Sequence, residues 1–127
     1  MELDYINTKK APQAVGPYSQ AVKMGEMLFV SGQIPLDPST GELVGNNAGE
    51  QTKQCMKNIL AILENEGLTA DNFVKATIFV KDLKNFGMVN EAYASFFSAN
   101  YPARACVEVS ALPKGAAVEI EAIAFYK

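Results

Sequence analysis

The sequence predicts an α+β domain, and three observations support this fold class. Two stretches, about residues 47–66 and 86–98, place apolar side chains at helical spacing. Runs with β-strand composition precede, separate and follow them, so the order is strands, helix, strand, helix, two strands. A length of 127 residues, 49% of them hydrophobic, suits one domain with an ordinary core. We therefore predict a single domain over residues 1–127.

The N-terminal third is predicted to be β structure. A short strand is expected around residues 5–6, and a second over 19–24. Gly25-Glu26 is a two-residue hairpin signal that leads into a strand over 27–31. The continuous apolar character of this strand predicts burial on both faces, with an end at Gly32.

The first helix carries its own start and stop signals. Asn47 is a candidate N-cap with Glu50 three residues later, which is a capping-box pattern. Gly67 is the expected C-terminal stop after Glu66. Cys55 lies near the edge of the apolar stripe and is predicted to be a packing residue. The stripe itself comprises Met56, Ile59, Leu60 and Leu63.

The central strand and second helix follow. Residues 73–81 are predicted as a strand with Val74, Ala76, Ile78 and Val80 on one face and Lys75, Thr77, Phe79 and Lys81 on the other. The second helix is predicted over 86–98, because Pro102 bars continuation. Its aromatic stripe is more typical of a core than of a cofactor site, and comprises Phe86, Val89, Tyr93, Phe96 and Phe97.

Two C-terminal strands, 105–109 and 118–125, hold the first candidates for chemistry. Alternation places Arg104 on one side of the first run with Cys106 and Glu108. On the second run Glu119 and Glu121 share a face with the apolar residues Ile123 and Phe125. A carboxylate on an apolar face is harder to explain as an ordinary solvent-exposed side chain. An arginine and a carboxylate so placed could form a site, although solvated surface positions explain the same spacing.

Two helices can cover only one face of the predicted sheet. The other face still carries apolar side chains such as Phe79, Ile123 and Phe125. Soluble monomers avoid large exposed apolar patches. We therefore predict an oligomer in which sheets pack together.

Composition excludes several classes of function. The chain has no histidine, which excludes Ser-His-Asp and Cys-His catalysis and the usual zinc ligand sets. A net charge of −3 without a basic cluster argues against nucleic-acid binding. No apolar run is long enough to span a bilayer, and no signal peptide is visible, so a cytoplasmic protein with reduced Cys55 and Cys106 is expected.

Five motifs resemble the RidA/YjgF family of reactive-intermediate imine deaminases across nearly the whole chain. They are Gly16-Pro-Tyr-Ser-Gln-Ala21, Ser31-Gly-Gln-Ile-Pro35, Val89-Asn90 with Tyr93 and Phe96-Phe97, Pro102-Ala-Arg104, and Val118-Glu-Ile-Glu-Ala122. The resemblance implies a homotrimer with a chorismate-mutase-like α+β fold and active sites in clefts between subunits. It also implies hydrolysis of 2-iminopropanoate and 2-iminobutanoate, products of pyridoxal-phosphate dehydratases, to 2-oxo acids and ammonia. No metal, cofactor, nucleic acid or membrane is implied.

This chemistry assigns roles to the candidate residues. Arg104 can hold the substrate carboxylate with two hydrogen bonds, and Glu119 can act as general base on a water, with Glu121 as the reserve carboxylate. By the resemblance, the pocket is lined by Tyr18, Ser31, Gly32 and Asn90, and Cys106 lies against the substrate. Cys106 lacks a base that would activate it as a nucleophile, so backbone contact is expected there.

The same residues are compatible with two other functions. The same cleft could hold small carboxylates or 2-oxo acids without turnover, in which case Arg104 would be needed and Glu119 would not. A ribonuclease or translation inhibitor is the third hypothesis, because such activities have been attributed to some relatives. The acidic balance and the absence of histidine argue against it.

Overall fold

A computed structural model describes residues 2–127 as a six-stranded mixed sheet with two helices on one face. The elements are β1 (Leu3–Ile6), β2 (Ala21–Met24), β3 (Met27–Gln33), α1 (Ala48–Asn65), β4 (Phe73–Val80), α2 (Phe86–Ala94), β5 (Ala103–Glu108) and β6 (Val118–Phe125). Short 3-10 turns precede β4, α2 and β6. The predicted α+β class and element order are confirmed.

The strand order across the sheet is β1-β2-β3-β6-β4-β5. Only the pairing of β4 with β5 is parallel among the pairings described, and α2 provides the crossover between these two strands. The two C-terminal strands both exist, but β4 lies between them and they are not neighbours. β5 therefore forms one edge of the sheet, and it follows α2 in the chain.

Helix α1 forms where its cap signals predict. The Asn47 side-chain Oδ1 accepts a hydrogen bond of 2.9 Å from the Glu50 backbone N–H. The Glu50 carboxylate in turn accepts from the backbone N–H of Asn46, one residue earlier than a standard capping box requires. Gly67 follows the helix with a φ of +75°, a conformation that favours glycine. The predicted start and stop are confirmed.

The facing of one strand residue and the end of one helix differ from the prediction. The register of β4 against β6 shifts between Phe73 and Lys75, so Phe73 is buried in place of Val74, which is exposed. Helix α2 ends at Ala94 and not near residue 98. Its last turns tighten, because the Phe96 N–H bonds the Tyr93 carbonyl at 3.2 Å in an i to i+3 pattern.

Strand β3 is not buried on both faces, contrary to the prediction. Leu28 and Val30 are buried under the helices, whereas Phe29 on the other face is 40% exposed. The strand also continues to Gln33. Its pairing with β6 passes from Val30–Ala122 to Gln33–Ile120, which inserts one extra residue into β3. This β-bulge contains Ser31 and Gly32, and such bulges re-aim side chains.

The core lies between the helices and one face of the sheet. The largest fully buried side chains of α1 are Met56, Ile59, Ile62 and Leu63, and Cys55 is buried beside them. They pack with the sheet residues Leu28, Val30, Ala76, Ile78, Val80, Val118, Ile120, Ala122 and Ala124. The opposite sheet face holds Phe79, Ile123 and Phe125, all only partly buried. The chain therefore has the uncovered, partly apolar face that its sequence predicts.

Candidate active site

The β3 bulge opens onto a cavity of about 480 Å³. Glu119 and Glu121, both on β6, contribute carboxylates to its wall, and Lys114 contributes an ammonium group from the loop before β6. The remaining wall comes from Pro12, Gln13, Val15, Tyr18, Ser31, Gly32, Gln33, Ile34, Leu36 and Pro113. Four of the predicted site residues thus line one cavity: Tyr18, Ser31, Gly32 and Glu119.

Gly32 lies directly against the Glu119 side chain. A β-carbon built at position 32 would stand 3.0 Å from the Glu119 carboxyl carbon and would collide with one of its oxygens. Real β-carbons do not approach other heavy atoms so closely. The absent side chain of Gly32 therefore makes the space that the carboxylate occupies.

The electrostatics of this cavity raise the proton affinity of the Glu119 carboxylate. Partial burial raises the pKa of the Glu119 carboxyl above its ordinary value, and the negative charge of Glu121 on the same strand face raises it further. A carboxylate with a raised pKa accepts a proton more readily than an ordinary surface carboxylate. This property suits a general base.

Two buried amides secure the walls of the cavity. Gln20 is fully buried, and its Oε1 accepts from the Thr8 N–H at 2.7 Å while its Nε2 donates to the Pro12 carbonyl at 2.8 Å. Asn58 of α1 donates from Nδ2 to the Leu36 carbonyl at 3.0 Å. Because these bonds fix the segments on either side of the opening, the cavity is largely pre-formed.

Ser31 and Tyr18 occupy different parts of the wall. The Ser31 Oγ donates to the Ser19 carbonyl at 2.6 Å and so ties the bulge to the segment before β2. Tyr18 is 49% exposed and leaves its ring available to a ligand. The Ser31 hydroxyl has a structural partner already, whereas the Tyr18 side chain has none among the described hydrogen bonds.

Arg104 lines a second cavity, of about 300 Å³, at the edge of the sheet. Its Nη1 donates to Asn90 Oδ1 at 2.5 Å. The guanidinium carbon lies 5.5 Å from the ring centres of both Phe86 and Tyr93, within the range of cation–π attraction. Phe86, Asn90 and Tyr93 follow one another at i, i+4 and i+7 on α2, so one helix face orients the arginine.

Cys106 lies two residues after Arg104 on the same side of β5. Its β4 neighbour is Ile78, and its side chain packs against the core. Burial raises the pKa of the Cys106 thiol, and the positive charge of Arg104 offsets part of this rise. The thiol is therefore not activated as a nucleophile.

Arg104 and Glu119 lie on opposite faces of the sheet. Arg104 is paired with Ala76 of β4, which faces the helices, whereas Glu119 is paired with Phe79 on the uncovered face. Their backbones are two strand spacings apart across the sheet and three residues apart along the strands. Each of these separations is roughly 10 Å. The chain therefore places the two predicted catalytic residues in two different cavities.

Two further properties bear on the class of site. Among residues 2–127, no group of three or more His, Cys, Asp or Glu side chains is arranged to hold a metal ion. No helix over the same residues combines the length and the apolar character needed to cross a membrane.

Comparison with known proteins identifies the family. The family model described as Endoribonuclease L-PSP matches residues 8–126. The chain belongs to this family, also called RidA/YjgF. It is 55% identical over 121 residues to the RutC family protein y4sK of Sinorhizobium fredii, a match that covers 95% of this chain and 96% of that protein.

Two further relatives carry more specific descriptions. The human protein named 2-iminobutanoate/2-iminopropanoate deaminase is 49% identical over 119 residues, which cover 94% of this chain and 87% of that protein. The crystal structure of Escherichia coli TdcF with bound serine superposes with a TM-score of 0.93 at 43% identity, and the match covers 98% of this chain and 99% of that one. The fold and family predicted from the sequence are thus confirmed.

Proposed function

We propose that this protein is a deaminase that hydrolyses 2-iminopropanoate and 2-iminobutanoate to 2-oxo acids and ammonia. The observation that carries this proposal is the Glu119 carboxylate, which has a raised pKa and lies against Gly32 in a cavity large enough for a small substrate and a water. The deaminase name of relatives that are about half identical to this chain supports it.

Arg104 is the proposed anchor for the substrate carboxylate. Its planar guanidinium can donate two parallel hydrogen bonds to a carboxylate, which lysine cannot reproduce. The contacts with Phe86, Asn90 and Tyr93 restrict its orientation before any ligand binds. A fixed carboxylate fixes the position of the neighbouring C2, so positioning can supply a large part of the rate acceleration.

The proposed reaction is attack of water on a protonated imine. Glu119 removes one proton from the water while the water oxygen bonds to C2, and the C=N π electrons move to nitrogen. The protonated Glu119 then returns that proton to the nitrogen of the tetrahedral adduct. The C–N bond breaks and ammonia leaves, while Glu119 accepts the hydroxyl proton and the C=O bond of the 2-oxo acid forms. Glu119 then passes this proton to the released ammonia, which leaves as ammonium and restores the carboxylate. Each step uses the carboxylate as general base or general acid.

The proposed site is completed between subunits of a homotrimer. Because Arg104 and Glu119 face opposite sides of one sheet, a molecule as small as an imino acid cannot contact both within one chain. A cyclic oligomer that brings the β5 edge of one subunit to the bulged β3 of the next would join the two half-sites. The uncovered apolar face supplies surface for such an interface.

A coupled assay tests the activity. Threonine dehydratase generates 2-iminobutanoate in situ, and the rate of 2-oxobutanoate formation is followed with and without this protein. We expect faster release of the oxo acid, and we expect the acceleration to disappear in Arg104→Ala and Glu119→Gln. No acceleration by the folded wild-type protein would remove the assignment for this substrate.

A complementation experiment tests the shared site. Arg104→Ala and Glu119→Gln subunits are unfolded together and refolded as a mixture. If each site takes Arg104 from one subunit and Glu119 from the next, about a quarter of the sites in a statistically mixed ring contain both residues. We expect activity to return to about that fraction of wild type. Activity that stays at the level of the separate variants would place both residues of a site in the same subunit.

Binding without turnover is the second candidate, and the bound serine of TdcF is the observation that favours it. In that case the cleft would hold a small amino or oxo acid and report its concentration. Arg104→Ala would abolish binding of 2-oxobutanoate, Glu119→Gln would leave it unchanged, and the wild-type protein would show no acceleration in the coupled assay.

A further inference from the structure

Lys114 has a backbone conformation that is unfavourable for a residue with a side chain. It lies in the 3-10 turn Pro113–Gly115 before β6, with a φ of +59° and a ψ of +19°. It is the one residue other than glycine within residues 2–127 that has a positive φ. Glycine adopts this conformation without strain, whereas a β-carbon makes it unfavourable. A lysine at this position therefore points to a role for its side chain.

The side chain of Lys114 is held at the wall of the Glu119 cavity. Its Nζ donates to the Gly41 carbonyl at 3.3 Å. Gly41 belongs to the turn that is closed by the pairing of Leu36 with Leu43, and Leu36 and Lys114 both line the cavity. An ammonium group has three donor hydrogens, and a single carbonyl uses one of them. Because Lys114 is also exposed to solvent, its charge can act on a ligand that enters the cavity.

The charges of this cavity oppose the entry of an anion. Among residues 2–127, the lining contains two carboxylates, Glu119 and Glu121, and one basic side chain, that of Lys114. The substrate of the proposed reaction carries a carboxylate of its own, and like charges in one small cavity repel each other. Arg104 lines the other cavity of the chain. Lys114 is thus the residue of the Glu119 cavity that can offset this repulsion.

We propose that Lys114 is a specificity-determining residue, whose ammonium group makes the Glu119 cavity accept anionic imino acids. This inference rests on the proposed function, because it takes the imino acid as the ligand. The ammonium attracts the substrate carboxylate and partly cancels the charge of Glu119 and Glu121, while the proposed anchor Arg104 holds the carboxylate in the bound state. Loss of this cation should weaken the binding of anions and leave the chemical step at C2 nearly unchanged.

The experiment compares Lys114→Gln with wild type in its affinity for 2-oxobutanoate, measured by calorimetry at low and at high salt. The Debye length is about 30 Å at about 10 mM salt and about 3 Å at about 1 M. At low salt we expect the dissociation constant of the variant to be about threefold to tenfold higher than that of wild type. At high salt the difference should shrink below about twofold, because screening removes an attraction between charges. In the coupled assay at low salt, KM should rise by a similar factor with little change in kcat.

Three further variants separate charge from structure. Lys114→Arg keeps the charge and should bind 2-oxobutanoate within about twofold of wild type. Lys114→Gly removes the charge and the backbone strain together, so it should lose affinity as Lys114→Gln does while its Tm equals or exceeds that of wild type. Lys57→Gln removes a positive charge from an exposed position on α1, outside both site cavities, and should leave the affinity unchanged.

The outcomes distinguish this inference from the proposed function. Equal affinities of Lys114→Gln and wild type at low salt, with binding lost in Arg104→Ala, would overturn the role of Lys114 alone. A loss of affinity in Lys114→Gln that is the same at low and high salt would show that the side chain acts through its shape or its bond to Gly41, and would also overturn the inference. Unchanged affinity in Arg104→Ala, with a salt-dependent loss in Lys114→Gln, would support Lys114 and overturn the carboxylate anchor. Absence of binding by the wild-type protein would overturn both.

Discussion

The carboxylate of Glu119 fills the volume that a side chain at Gly32 would occupy. Gly32 belongs to the bulge of β3, and Glu119 extends from β6 on the uncovered face of the sheet. A glycine is thus required here for space and not for its backbone freedom, since its φ lies outside the left-handed region. The relationship links a backbone irregularity to the position of the proposed base.

Gly32→Ala should therefore reduce activity far more than stability. The new methyl group displaces the end of the Glu119 side chain, which is flexible and moves at low energetic cost. A misplaced base loses the larger part of general-base catalysis, roughly 10²-fold in kcat. Steady-state kinetics and thermal unfolding check the two effects. Gly87→Ala is the matched control, because a β-carbon there meets open space. Equal losses of activity in both variants would contradict the prediction.

Glu121 should contribute to the pH dependence of catalysis. Its charge contributes to the raised pKa of Glu119, after the larger effect of burial. The base acts when ionised, so kcat should rise with pH through a pKa above the ordinary value of a glutamate. Glu121→Gln removes one cause, and the acid limb of the kcat profile should move to lower pH. If the acid limb of the kcat profile does not move in Glu121→Gln, the pKa of that limb belongs to another group.

Replacement of the base itself should stabilise the fold at neutral pH. Because the folded-state pKa of Glu119 is raised, ionisation of its carboxyl works against folding. In the wild type this loss of stability develops as pH rises from the unfolded-state pKa through the raised folded-state pKa. Glu119→Gln cannot ionise, so its Tm should exceed that of wild type at pH 7, and the advantage should vanish below about pH 4. Thermal unfolding across this range measures it, and a lower Tm for the variant at pH 7 would contradict it.

Asn90 should act through Arg104. Its amide oxygen accepts from the guanidinium, so Asn90→Ala should raise KM by roughly tenfold with a smaller effect on kcat. Asn90→Asp should raise KM further, because a carboxylate at this position competes with the substrate for the positive charge. The double variant with Arg104→Lys checks the route of the effect. The increase in KM of the double variant, expressed as a free energy, should be smaller than the sum of the increases in the two single variants. Strict additivity of these free energies would argue for independent roles.

Gln20 should be among the residues most important for stability. Gln20→Leu keeps the volume but leaves the buried Thr8 N–H and the Pro12 carbonyl without partners, at a cost of about 2–4 kcal/mol in the free energy of unfolding. Urea denaturation measures this loss. Gln13→Leu removes an exposed amide that donates to the same Thr8 residue and should cost less than about 1 kcal/mol. Similar losses in the two variants would contradict the role of burial.

The features that the sequence predicted well are those encoded locally. The start of α1 depends on Asn47 and Glu50, three residues apart, and its end on Gly67. The hairpin at Gly25 likewise depends on neighbouring residues, and β2 pairs with β3 directly across it. Such signals act over a few residues and are visible without knowledge of the fold.

The features that it missed depend on distant parts of the chain. The bulge in β4 results from register against β6, so alternation alone misassigned Val74. Phe29 is exposed because it lies on the sheet face that the helices leave uncovered, which the apolar run of β3 does not reveal. The separation of Arg104 from Glu119 depends on the insertion of β4 between their strands, which no local pattern reveals. Tyr93 was correctly assigned to the core by its helical spacing, but the proximity of its ring to Arg104 depends on where the sheet places β5.

The extra residue in β3 makes this short stretch intolerant of deletions. Removal of Ser31 or Gly32 would restore a regular antiparallel ladder with β6 and would eliminate the opening beside Glu119. A residue lost from the exposed turn around Ser39 and Thr40 would shorten a surface connection and leave the sheet register unchanged. Among descendants of this sequence, length variation should therefore accumulate in that turn, while the interval between Val30 and Gln33 keeps a constant number of residues.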